Sequence, residues 1–97
     1  MRARLGAALK AEYAFQHRRG DFKVSLLDDG AIELALDGIV RKRRDVTGRE
    51  PQYVWTNVEL EWEEHHYIEV RYWASINRLQ ITANQTPIYD GALVNGS

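Results

Sequence analysis

The chain contains no cysteine, only two prolines, and no apolar run longer than a few residues. Without cysteine there is no disulfide framework, no thiol nucleophile and no cysteine-ligated zinc or iron–sulfur site. No stretch approaches the roughly 18 apolar residues that a membrane-crossing helix needs. The N-terminus lacks the apolar core of a signal peptide, so a cytoplasmic domain without membrane contact is expected. The seven glycines are scattered in turns and build no phosphate-cradling loop. Ser25, Ser75 and Ser97 lack a nucleophile-elbow context, so no catalytic residue and no cofactor is expected. Ninety-seven residues support one core, hence a single domain over residues 1–97.

The net charge of −1 hides two opposite excesses. Residues 1–49 carry 11 basic and 7 acidic side chains, whereas residues 50–97 carry 2 and 7. The basic excess peaks at Arg41-Lys42-Arg43-Arg44 and the acidic excess at Glu59, Glu61, Glu63, Glu64 and Glu69. The simplest reading places these runs on neighbouring strands that pair across a sheet. Nucleic-acid binding through Arg41, Arg43 and Arg44 is the weaker reading. In a strand only half of such a run faces one way, and phosphate contact ordinarily calls for a basic domain.

The periodicity of apolar residues predicts mainly β structure of α+β type. Leu5, Leu9 and Tyr13 fall at helical spacing and Ala8, Ala11 and Phe15 widen the stripe, predicting a short helix over about 2–16. Gly20 is its expected C-cap. From Asp21 the period changes to two. Phe22, Val24 and Leu26, then Ile32, Leu34 and Leu36, alternate with polar residues. Asp37-Gly38 is a strong hairpin signal. In the second half Val54, Thr56, Val58, Leu60 and Trp62 share a face, as do His66, Ile68, Val70 and Tyr72, then Leu79 and Ile81. The expectation is an antiparallel meander of five to seven strands over about 21–89. It would form a curled sheet or a small sandwich or barrel, with a flexible tail over 90–97. No interval is long enough for a crossover helix.

The other face of the second half is unusual. It carries Tyr53, Trp55, Asn57, Glu59, Tyr67, Glu69, Arg71 and Trp73. Two registers fit: one sets Trp55 against Trp73 and Asn57 against Arg71, and a slip of two sets Glu59 against Arg71. In either, the aromatic rings and Arg71 offer contact area with directional hydrogen bonds. The expected function is a non-enzymatic protein-interaction module of adaptor, immunity or inhibitor type. It would dock a protein partner, or a second copy as a homodimer, through this face or through the N-terminal helix. The alternative is a small-ligand or glycan-binding domain using Trp55, Trp73, Asn57 and Arg71. His65-His66 with nearby glutamates suggests no metal site, because adjacent strand residues point to opposite faces.

The segment His65–Tyr72, followed by Asn77–Asn84 and Ile88–Gly91, resembles the strand pair of laminin-G and legume-lectin-like sandwiches, in which a WHH-x-V strand leads to an L-x-L-x-V-N-G-x-x-V hairpin. The match covers about a quarter of the chain. Gln85 stands where that pattern has its hairpin glycine, and no calcium-binding pattern accompanies it. The resemblance implies glycan or protein-ligand binding through an aromatic face.

Overall fold

The computed structural model describes residues 8–61 and 64–93. Among the described residues, eight antiparallel strands form two four-stranded sheets. The first contains β1 (Leu9–His17), β2 (Gly20–Leu27), β3 (Ile32–Leu36) and β4 (Ile39–Arg44), in chain order. The second contains β5 (Gln52–Glu61), β6 (Glu64–Trp73), β7 (Arg78–Ala83) and β8 (Thr86–Ala92), again in chain order. A single 3-10 turn, Ala74–Ile76, joins β6 to β7.

The meander follows from the turn chemistry. Leu36 pairs with Ile39 across a two-residue loop in which Asp37 and Gly38 have φ of 53° and 83°. This is the doubly positive turn whose twist matches a hairpin. Asn84 and Gln85 build the equivalent loop between β7 and β8, with φ of 49° and 68° and Ala83 paired to Thr86.

Period-two patterning gives each sheet one apolar face, and the two faces pack together. The shared core holds Phe15, Phe22, Val24, Ile32 and Leu34 from the first sheet. Val54, Val58, Ile68, Val70, Tyr72, Leu79 and Ile81 come from the second. Val58, Ile68, Val70, Leu79 and Ile81 are therefore buried as their alternation predicts. The Leu60 side chain, Trp62 and Glu63 lie outside the described residues. At one seam Tyr13 of β1 stacks on Tyr89 of β8, ring centroids 4.0 Å apart.

The expected N-terminal helix is not present over its described part: residues 9–17 are a strand. Leu9, Ala11, Tyr13 and Phe15 satisfy a period of two as well as one near 3.6, and isolated periodicity cannot separate the two. Tertiary pairing decides it. Tyr13 lies opposite Val24 and Phe15 opposite Phe22, whose rings stack at 5.2 Å. Gly20 opens β2 instead of capping a helix. The rest of the expected helix, residues 2–7, lies outside the described residues. The extra strand raises the count to eight. β8 extends to Ala92 with Leu93 buried behind it, where a frayed tail is expected; residues 94–97 lie outside the described residues. Among the described residues no helix is long and apolar enough to cross a membrane.

Leu34 is fully buried between the sheets. Leu34→Ala should lower unfolding free energy by about 2–5 kcal/mol, read from the urea midpoint at unchanged slope.

Candidate functional site

The register of β5 with β6 decides what the outer face looks like. Trp55 stands opposite Glu69, Tyr53 opposite Arg71, Asn57 opposite Tyr67 and Glu59 opposite His65. Neither register anticipated from the sequence is adopted. Val54, Thr56 and Val58 meet Val70, Ile68 and His66 on the buried side, and a β-bulge near Glu59–Glu61 absorbs the offset at the hairpin tip.

The eight expected face residues do point outward together, and seven of them divide into three groups, Glu59 lying farther along β5 opposite His65. Tyr53, Glu69 and Arg71 form a closed polar knot. The Tyr53 hydroxyl donates to Glu69 Oε2, Arg71 lies 3.6 Å from the same carboxylate, and its guanidinium sits 4.9 Å from the Tyr53 ring. Burial, reinforced by Glu69, pushes the Tyr53 phenol above its ordinary pKa. Trp73 lies under the Arg78 guanidinium at 5.0 Å, and Arg78 is in turn clamped by both Asp90 oxygens at 2.8 and 2.7 Å. That pairing holds the Asp90 carboxyl below its usual range. The third group is open. Trp55 and Tyr67 are 43% and 49% exposed, with centroids 6.3 Å apart and planes tilted by 38°. Asn57 is exposed beside them, opposite Tyr67.

Trp55, Tyr67 and Glu69 line a groove of about 410 Å³ that is closed on its other side by Asn84 and Gln85. The turn supplies this wall. Asn84 is fixed: its Oδ1 accepts the Tyr67 backbone N–H at 2.8 Å, and its Nδ2 donates to the His65 carbonyl at 3.3 Å. Gln85 holds a left-handed backbone that favours glycine. In the sequence Asn84 and Gln85 stand out only as part of a hairpin pattern, with Gln85 at its glycine position. Their place in the groove depends on the hairpin folding back beside β6, which local pattern does not reveal.

The basic run is redirected by a β-bulge. Leu34 pairs with Lys42 but Ala35 with Val40, so Arg41 is the extra residue and the expected alternation of the run is broken. Arg41 Nε donates to Thr56 Oγ1 at 3.3 Å, and Arg44 Nε donates to the Tyr53 carbonyl at 3.0 Å. Lys42 reaches to 6.0 Å from the Trp55 ring. Gln52 completes this seam by donating to the carbonyls of Gly30 and Arg44. Arg43 faces the other way, into Asp29, Glu33 and Asp45. The basic run and β5 therefore meet through side chains at the junction of two sheets. They do not pair as strands of one sheet, because β4 and β5 are both edges.

At the end of the sandwich nearest the β5–β6 hairpin, His66 is buried and His65 is exposed. His17 Nε2 lies 3.0 Å from His66 Nδ1, and His66 Nε2 contacts Glu64 Oε1. One set of tautomers satisfies the whole chain: His17 donates to His66, and His66 donates to Glu64. No group of three or more metal-ligating side chains occurs among the described residues. Compared with protein-family models, characterised proteins and solved structures, the chain matches none, the lectin-like sandwiches included.

Two outcomes are expected. Desolvation, then His66 and Arg18, lower the His17 pKa against a smaller opposing effect of Glu64. The unfolded chain thus binds this proton more readily than the folded one. Stability should fall as the pH drops below about 6.5, the ordinary histidine pKa, and His17→Gln should flatten the dependence in urea titrations. Gln85→Gly should leave stability unchanged or raise it by up to about 1 kcal/mol, because relief of the left-handed strain offsets glycine's entropy. A clear loss of stability would show that the Gln85 side chain supports the fold.

Proposed function

We propose that the chain is a non-enzymatic binding module whose recognition surface is the outer face of the second sheet, centred on the Trp55–Tyr67 groove. The observation that carries this reading is the pair of exposed rings over a concave site. Large rings left in water are costly unless something covers them, and a groove of about 410 Å³ lies within the roughly 300–1,000 Å³ typical of ligand sites.

The neighbouring groups support binding over catalysis. Both Glu69 oxygens are engaged, one by Tyr53 and one by Thr82, so this carboxylate is held as a fixed acceptor. Glu59 lies farther along β5, opposite His65, and does not face Glu69 as a paired acid and base would. The basic run favours nucleic acid less than its composition suggests. Arg43 is surrounded by three carboxylates, and Arg41 and Arg44 hold the seam.

Docking of a protein chain on the same face is the second reading. It draws on Ile39 and Val40, which are 71% and 51% exposed on β4, the strand next to β5. A stable protein interface nevertheless needs about 800 Å² from each side with an apolar centre. Here the rings are flanked by ion pairs already satisfied within the sheet.

Immobilised protein exposed to cell extract tests the surface. Material retained by the wild type should be lost from a Trp55→Ala/Tyr67→Ala variant. Stability of that variant should change by less than about 1 kcal/mol, because both side chains are half-exposed. Identical retention by the two proteins would remove this face from consideration.

A further inference from the structure

We infer that the groove takes an uncharged saccharide, bound with a sugar ring against Trp55 and Tyr67. This rests on the reading of the groove as the recognition surface and adds the ligand's chemistry.

The two rings are about half exposed, tilted by 38° with centroids 6.3 Å apart. A π face is electron-rich and attracts weakly polarised C–H groups laid flat on it. The ligand therefore needs a C–H-bearing face. Around the rings stand primary amides with bonding capacity to spare. The side chains of Asn57 and Gln85 make no hydrogen bond among the described residues, and both are exposed. Each amide offers two N–H donors and one acceptor oxygen. That combination matches hydroxyl groups, which both donate and accept. Asn84, anchored by the Tyr67 N–H and the His65 carbonyl, holds the turn that carries Gln85.

Charge selects among ligands that stack. An organic cation would ordinarily suit an aromatic pair beside a carboxylate. Here the Lys42 ammonium already stands 6.0 Å from the Trp55 ring, and the Glu69 charge is offset by Arg71 at 3.6 Å. The groove lining of Trp55, Tyr67, Glu69, Asn84 and Gln85 offers an anion no cationic side chain. A ligand with apolar ring faces, many hydroxyls and no net charge answers all three conditions, and neutral sugars are that class.

Gln85 adds a second line. It occupies a left-handed position where glycine would be unstrained, and its residue lines the groove. Strain retained at a site wall is accounted for if the side chain does something there. An amide contact to ligand is such a role.

The test is a printed array of uncharged glycans, followed by NMR titration of the ¹⁵N-labelled protein with the best hit and with cellohexaose and chitohexaose. Saturable shifts should appear at the Trp55 indole and at the Tyr67 and Gln85 amides, and should persist in 0.5 M salt, since about three times physiological ionic strength screens charge but not stacking. Trp55→Ala should weaken affinity at least about tenfold, the loss of one good contact. Gln85→Gly should weaken it severalfold while relaxing the turn, so that loss of binding there cannot be loss of fold. Arg43→Glu should leave affinity unchanged. The inference is overturned if no uncharged glycan gives a saturable shift, if binding survives Trp55→Ala, or if only charged glycans bind. A blank array with retention from extract still lost in Trp55→Ala/Tyr67→Ala would sink the saccharide and leave the surface standing. Failure of both would remove the groove altogether.

Discussion

Burial of two apolar sheet faces against each other is the constraint from which the rest follows. Each strand has only two faces, and a shift of one residue exchanges them. Once Val54, Thr56 and Val58 are committed inward, Tyr53, Trp55 and Asn57 must point outward. The same holds on β6, where Ile68 and Val70 go in and Tyr67, Glu69 and Arg71 come out. The groove is thus the outer side of the core's own pattern. Its rings stand in water because their neighbours along the chain are needed inside.

That arrangement leaves four strand edges, β1, β4, β5 and β8, and each seam is handled by different chemistry. Between β1 and β8, Tyr13 and Tyr89 stack. Between β4 and β5, long polar side chains reach across: Arg41 to Thr56, Arg44 to the Tyr53 carbonyl, Gln52 to Gly30 and Arg44. Charged side chains on an exposed edge also discourage pairing with another chain. The basic run therefore has a structural use, which explains how a dense cluster of arginines fits a nearly neutral protein. At one end His17 and His66 link the sheets through a bond that needs at least one neutral imidazole, a seam sensitive to acid.

The outer face shows how satisfied and unsatisfied groups can sit side by side. Tyr53, Glu69 and Arg71 bond to one another, and Trp73, Arg78 and Asp90 do the same. Trp55, Tyr67, Asn57 and Gln85 are left with contact surface and hydrogen-bonding capacity. Sequence grouped all eight face residues equally, since alternation reports the face and nothing about partners. Arg71 and Trp73 proved to be occupied within the sheet, whereas the turn residues Asn84 and Gln85 joined the groove unannounced.

Alternation by itself determined the antiparallel β class, the core of the second sheet, the hairpin at Asp37-Gly38 and the set of side chains turned outward. These are local consequences of a period of two and of turns needing positive φ. Tertiary structure alone decided the rest. Residues 9–17 fit both helix and strand periods until β2 offered Phe22 and Val24 as partners. The β5–β6 register rested on which apolar pairs filled the space between sheets, so neither pairing suggested by charge and tryptophan matching was adopted. The bulge at Arg41 and the approach of the Asn84-Gln85 turn to Trp55 arise where strands far apart in sequence meet, and no local period carries that information.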